Sequence, residues 1–542
     1  MSFKLRTSKS TTWVLLILVT GAILGTPSLL YPFGRDQGEY ATIAWLFLLG
    51  KDIYAEVINI KPPGTHLVHA LSQVLFGHSM QAIRILDLLM QLSVAIALFF
   101  LPRACASPHS ITTGVLAALT YLYTYFCFDF WSTAQTEGFQ NFFVTFGVLA
   151  WVCGKKNSTT IAFFLAGALF ACATFFKYPI GILFIFCVVD PLLAWARGQQ
   201  KLSQTAALAF GFLVICFLVF VNLYLTDALL PAYEAAKYYY SVYYSPQTSG
   251  FPIPSALAPA FFSIGPICLG LSFICLLALP SAYRSMQSIL LPWLLAVVLQ
   301  CILQGKFYDY HFIALLPPIS LGASVIIFGL CFPLQRLLLA GCAGVNLSFV
   351  LLLATFQHIG LWHIYEQVGQ TVQGKLSLEN FQVSVAFGCY NCKADHSFKA
   401  NLEVAREIIR KTESAQAVLI VGFEPAIYFL SQRVPATSLL YSFPLYPSFN
   451  NWGLRERLMR EITTYPPAMI VVARHDAIPW VTGSNMDSRQ LVDDFQEFRN
   501  YLIAHYQKYS ELEDFLLYGR VGDFPFSGLQ GWNSHEPRSH SD

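Results

Sequence analysis

Apolar stretches long enough to cross a bilayer recur along two thirds of this chain, a pattern that a soluble fold cannot bury. A spanning helix needs about 20 mostly apolar residues. About eleven such stretches occur, at roughly 12–30, 82–101, 110–127, 138–153, 159–176, 179–196, 204–225, 256–279, 287–304, 311–331 and 336–356. Backbone groups in hydrocarbon must satisfy one another, so each stretch is expected as a helix. Only 12% of the residues are charged, against about 25% in soluble domains. The expected fold class is a polytopic α-helical membrane protein. The first stretch is long for a cleavable signal and lacks a small-residue cleavage site, so it reads as a retained helix. A net charge of +2 without a basic patch gives no footprint for nucleic acid.

Two further apolar stretches, 40–49 and 65–76, are too short to span. In the second, Leu67, Leu71, Val74 and Leu75 share one helical face while His66, His69 and Gln73 lie elsewhere. That pattern fits a helix lying in the membrane interface.

Lys and Arg in short loops set the orientation. Lys4, Arg6 and Lys9 place the N-terminus in the cytoplasm, and Arg103, Lys155, Lys156, Arg197, Lys201, Arg284 and Arg336 fall on the same side. The opposite loops then carry Asp36, Glu39, Lys61, Asp129, Glu137, Lys177, Lys306, Asp309 and His311. Lysines on the outer face run against the orientation rule, and an anionic ligand there would account for them.

The expected organisation is a membrane domain over 1–356, whose first outer loop, 31–82, carries the interfacial helices. An extracytoplasmic α/β domain follows over 357–528, and 529–542 form a polar, disordered tail. In the α/β segment, 402–413, 454–464 and 491–505 read as helices, and 417–421, 468–473 and 515–518 as strands. Gly422 follows its strand without a G-x-G-x-x-G pattern, so no dinucleotide site is expected. Most of the 13 cysteines lie in apolar spans as packing residues. Cys389-Tyr390-Asn391-Cys392 is the exception, readable as a disulfide, a redox pair or half a metal site.

Each outer-face residue has a functional and a structural reading. Asp36, in Arg35-Asp36-Gln37-Gly38-Glu39-Tyr40, is a candidate general base; it could equally pair with Arg35 or cap a helix over 38–49. Glu39 is a site-lining candidate or a capping-box partner. Lys61, in Lys61-Pro62-Pro63-Gly64, is held extended by the proline that follows and suits a lipid phosphate, or snorkels to headgroups. Glu137 favours a helix N-terminus on dipole grounds alone. Lys177 sits in a tight turn between two spans, and His311 follows an aromatic run that also fits an interfacial belt. The tyrosines 238–240, 243 and 244 read as belt anchors or sugar-stacking rings.

Taken in order, R-D-x-G-E-Y, K-P-P-G, Thr136-Glu137 at a helix start and Phe176-Lys177-Tyr178-Pro179 resemble the family 39 membrane glycosyltransferases of the GT-C superfamily. These are protein O-mannosyltransferase-like and aminoarabinose-transferase-like enzymes. The resemblance extends through Tyr308-Asp309-Tyr310-His311, Leu316-Pro317-Pro318 and Val421-Gly422-Phe423-Glu424-Pro425. It implies transfer of a sugar from a polyprenyl-phosphate donor to an extracytoplasmic lipid, glycan or protein acceptor, in the inner (plasma) membrane. By the same resemblance Asp36 is the catalytic carboxylate and Lys61 meets the carrier phosphate. Glu39 and Glu137 line the site, and Lys177, Lys306 and His311 complete a basic surround. Gln37 stands where many relatives have Glu, so the paired-acid form of the motif is absent. The cofactor requirement stays open: a divalent metal is one candidate, but no ligand set stands out. The rival readings are a transporter or flippase, and a noncatalytic scaffold. Transport sites favour the bilayer midplane and repeated halves, whereas here the ionisable residues collect at one face.

Overall fold

The computed structural model describes residues 7–198, 201–242, 257–263, 265–277, 279–329, 361–386 and 397–522. Over the described residues, each expected span from 12–30 to 311–331 is built of helix. Among the described residues, six helices are long and apolar enough to cross a membrane, or up to seven if the bent pair Leu257–Ser263 and Gly265–Ile274 counts as one span. The expected span at 336–356 lies outside the described residues, as do Tyr243 and Tyr244, the pair Cys389 and Cys392, and the tail.

The chain divides into two compact units. The first comprises Met1–Pro32, Lys61–Leu229 and Ile253–Val385; the second comprises Phe33–Ile60, Leu230–Pro252 and Ala386–Asp542. These units do not follow a boundary at 356. The first outer loop is divided between them, because Phe33–Ile60 is tied to the C-terminal sheet region by contacts such as Ile58 N–H to the Ser438 carbonyl at 2.9 Å.

In the first unit, burial separates two kinds of span. The helix Leu202–Leu225 is only 11% buried and presents Phe210, Leu213, Phe217 and Tyr224 outward. The span Asp309–Phe328 is 89% buried, at the centre of the bundle. Outward apolar side chains on a spanning helix are at home in lipid, where helices associate through close packing of small residues. Gly167 and Gly211 meet this need reciprocally. A Cβ at Gly167 would run into the Leu208 carbonyl, and one at Gly211 into the Phe164 carbonyl. The helix Gly64–Phe76 is two-faced as its periodicity predicts: Leu67, Leu71, Val74 and Leu75 are exposed while His66, His69 and Gln73 are buried.

The second unit is built on a four-stranded sheet: β1 (Val418–Val421), β2 (Met469–Ala473), β3 (Tyr506–Leu512) and β4 (Phe515–Arg520), in the order β1-β2-β4-β3. β1 runs parallel to β2, and β4 pairs antiparallel with both β2 and β3. β1 and β2 are buried along their whole length, which is why both read as unbroken apolar runs. The expected strands and helices are all present. Among the strands β3 is the addition: Tyr506-Gln507-Lys508-Tyr509-Ser510-Glu511-Leu512 is polar, half-exposed and held by its hairpin to β4.

Candidate functional site

In the first unit the folding of two tight turns gathers the candidates. Gly64, which closes the Lys61-Pro62-Pro63-Gly64 motif, donates its N–H to the Phe175 carbonyl at 3.0 Å. A Cβ at position 64 would lie 2.8 Å from that carbonyl oxygen. The motif therefore needs glycine there to dock on the Phe175-Phe176-Lys177 turn. Thr65 Oγ1 donates to Thr136 Oγ1 at 3.0 Å, bringing in the start of the helix Thr136–Asn157.

Glu137 lies in the first turn of that helix and is wholly buried. Its Oε1 faces the Lys177 ammonium at 3.2 Å and the His311 imidazole Nε2 at 4.0 Å. The helix-dipole reading of Glu137 is thus incomplete: the carboxylate holds basic side chains drawn from two other loops. Lys177 Nζ also donates to Gln304 Oε1 at 3.1 Å. Gln300 Nε2 donates to Gln140 Oε1 at 2.8 Å, and Asn141 Nδ2 to the Ile313 carbonyl at 2.9 Å. These amides fix the register of three helical segments beneath the ion pair. His311 is buried and edge-on to Tyr308 and Tyr310, with centroids at 5.4 Å and 4.8 Å. His311 thus stands within the aromatic run while its Nε2 faces Glu137.

Lys61 lies near enough to act electrostatically on His66 and on His311. Burial first, and Lys61 second, push the His66 imidazole down to about 3, so it is neutral at any physiological pH. Lys306, in the loop between two spans, is 1% exposed. Its burial brings the ammonium down from 10.5 to about 8. Asp129 and Asp309 have backbone partners: the nearby Ser132 N–H meets Asp129 Oδ1 at 2.9 Å, and the Leu257 N–H, 52 residues away, meets Asp309 Oδ1 at 2.9 Å.

Asp36 and Glu39 belong to the second unit, and the contacts that place them lie within it. The helix runs Arg35–Leu48, earlier than the expected 38–49, so Asp36 sits inside its first turn rather than ahead of it. Gln37 Oε1 accepts the Gly34 N–H at 3.1 Å and closes the helix start. The Gln that departs from the family pattern thus has a capping task here. Arg35 Nε donates to Glu424 Oε1 at 2.6 Å, and Asn401 Nδ2 donates to Glu424 Oε2 at 2.8 Å. Thr42 Oγ1 donates to the Pro425 carbonyl at 2.9 Å, and a Cβ on Gly38 would stand 2.6 Å from Ala426 Cβ. The first-loop motif and Phe423-Glu424-Pro425 are two halves of one joint that fixes the Asp36 helix. Asp36 is half-buried and Glu39 is 3% exposed.

One polar group escaped the sequence reading. Arg84 is fully buried, and its guanidinium donates to the carbonyls of Pro32, Phe130 and Thr133. Three residues on, Asp87 accepts from Tyr125 at 2.8 Å and from Gln91 at 2.8 Å. The signal was available: an Arg and an Asp three apart at the start of an apolar span are costly unless used. Here they pin the loop ahead of Glu137. Among the described residues, no three of His, Cys, Asp or Glu group to hold a metal ion.

Residues 60–225 match the model of the dolichyl-phosphate-mannose-protein mannosyltransferase family. That stretch takes in Lys61, Glu137 and Lys177. A sequence search of curated proteins finds no match. Among solved structures, ArnT from Cupriavidus metallidurans bound to undecaprenyl phosphate is 13% identical, with 97% of this chain and 100% of that chain covered and a TM-score of 0.57. The apo state of the same protein is 14% identical, with 96% and 100% covered and a TM-score of 0.56. At such identity the likeness shows the fold. The chain shares the fold of ArnT, and over residues 60–225 it is similar to the mannosyltransferase family that its motifs resemble.

Proposed function

We propose that this chain is a membrane glycosyltransferase that moves a sugar from a polyprenyl-phosphate carrier to an acceptor on the extracytoplasmic side of the inner membrane. The observation that carries the reading is the gathering of Lys177 and His311 on the buried Glu137, with Lys61 close enough to act on His311. Such a set is suited to a lipid phosphate that arrives from the bilayer, and Lys306 adds a further buried cation. The fold likeness to a protein described as bound to undecaprenyl phosphate supports the same donor class.

In the proposed reaction the acceptor hydroxyl gives its proton to Asp36 and its oxygen attacks the anomeric carbon. The bond from that carbon to the phosphate oxygen breaks, and its electron pair leaves with the phosphate. Lysines aimed at the departing oxygen stabilise the charge that develops there. Attack opposite the leaving group inverts the anomeric centre. The alternation of Lys and Arg along the loops supports the placement of the site and of the C-terminal domain on the outer side. Lipid, glycan and protein acceptors are all compatible with this chemistry, and a hexose or a pentose would suit the donor.

The test is transfer of label from a panel of polyprenyl-phosphate sugars by purified protein in lipid. Wild type is expected to transfer from at least one donor. Asp36→Asn should reduce the rate by about 10²- to 10⁴-fold, the usual contribution of a general base. Full transfer by Asp36→Asn would remove that residue from the chemistry. Movement of carrier lipid across vesicles with no transfer from any donor would replace the enzyme by a flippase.

A further inference from the structure

The second unit encloses a cleft that the proposed base and the lysine cluster do not use. Its volume is about 290 Å³, near the lower end of the range for small-ligand sites. Tyr54, Tyr441 and Phe443 line it together with Glu39, Arg457 and Arg460. Glu39 is buried and lies three residues after Asp36 on the same helix, so the cleft reaches the element that carries the proposed base.

One side of the cleft is fixed by hydrogen bonds, and the other carries an exposed guanidinium. Arg457 Nε donates to Glu461 Oε1 at 3.0 Å, and its terminal nitrogen to the Ala55 carbonyl at 3.3 Å. Glu461 in turn accepts from Thr437 Oγ1 at 2.6 Å and from Ser438 Oγ at 2.7 Å. Arg460 is exposed, and its guanidinium makes no hydrogen bond or ion pair among the described residues. Tyr54 takes a positive φ of 77°, with its N–H donated to the Val57 carbonyl at 2.8 Å. A tyrosine in that backbone state is specified by the turn around it.

The chemistry of this lining selects among ligands. Glu39 and Glu234 offset Arg457 and Arg460 along the walls, so the cleft lacks the net positive charge that a phosphate group favours. A lipid tail is disfavoured by the same charged side chains. A pyranose ring meets all the features at once. Its apolar C–H face packs on aromatic rings, and its neighbouring hydroxyls donate to a carboxylate and accept from guanidinium groups.

We propose that this cleft is a sugar-binding subsite of the second unit, filled by a pyranose ring of either the acceptor or the carrier-linked donor. The assignment of a role in turnover rests on the transferase reading; the binding itself does not. Saturation-transfer NMR on the full chain in lipid nanodiscs tests the binding, with the methyl glycosides of glucose, mannose and N-acetylglucosamine as probes. At least one glycoside should receive saturation from wild type, and the signal should fall several-fold in Tyr441→Ala and in Arg460→Ala. Arg460 is exposed, so its replacement leaves the fold intact and keeps the result readable even where Tyr441→Ala lowers the melting temperature. Lys177→Ala, in the other unit, should leave the signal unchanged.

The source of the ring follows from kinetics. A raised KM for the polyprenyl-linked donor in Arg460→Ala assigns the cleft to the donor sugar, and a raised KM for the acceptor assigns it to the acceptor. Absence of saturation for every glycoside, or a signal that survives both substitutions, overturns the proposal. Glycoside binding without transfer from any donor would instead sink the transferase reading and leave the subsite standing.

Discussion

Two buried carboxylates from the same ordered set of motifs behave in opposite ways. Glu424, in the second unit, has a donor on each oxygen: Arg35 at 2.6 Å on Oε1 and Asn401 at 2.8 Å on Oε2. Both members of its ion pair are almost fully buried. Glu137, in the first unit, meets Lys177 and His311 on a single oxygen at 3.2 Å and 4.0 Å, and the Lys177 side chain keeps 24% of its exposure. The first arrangement is tight and closed, as a joint should be. The second sets a part-exposed lysine beside a carboxylate that is itself wholly buried. A buried ion pair is thus no marker of function by itself; what differs here is that Lys177 keeps part of its exposure while Arg35 does not.

The largest expected effect tests the closed side of this contrast. Glu424→Ala leaves the Arg35 guanidinium buried opposite an empty place, which costs about 3–5 kcal/mol in comparable pairs. The loss should appear as a lowered melting temperature. An unchanged melting temperature would mean that the Arg35 pair is not the joint it is taken to be.

Gly64→Ala probes the framework of the open side. The added Cβ would lie 2.8 Å from the Phe175 oxygen, and relief of such overpacking costs about 1–3 kcal/mol. Because the contact joins the Lys61 motif to the Lys177 turn, donor KM should rise along with the drop in stability. A drop in stability alone would separate the two turns functionally.

A smaller effect concerns pH. Lys306 has its ammonium lowered to about 8 by burial. Below that pH it carries its charge and can serve a phosphate; above it the charge is lost. Donor affinity should therefore hold steady up to about pH 8 and then weaken by up to about tenfold per unit, the limit for one required proton. Lys306→Arg, whose guanidinium stays charged, should flatten the profile. A flat profile in wild type would take Lys306 out of donor binding.

The contrast also marks what was legible in the sequence. The spans were visible because hydrocarbon forces a long apolar helix whatever its neighbours. Glu137, Lys177 and His311 were singled out because charged residues at outer loop ends are costly, yet their convergence required the fold. Arg35 and Glu424 are 389 residues apart, and no local pattern announces that they pair. Gln37 was read only as a missing acid, since its hydrogen bond to Gly34 depends on where the helix begins. β3 was overlooked for a related reason: its polar sequence is a strand because β4 lies beside it, and not by its own alternation.

If the cluster around Glu137 is a phosphate site, the affinity of the purified protein in nanodiscs for undecaprenyl phosphate depends on it. Lys177→Ala should raise Kd by about 10- to 100-fold, the loss of one charge-assisted hydrogen bond. Glu137→Gln, which removes a competing negative charge, should lower Kd. If neither substitution moves Kd while the fold is intact, the cluster is a second closed joint and the phosphate binds elsewhere.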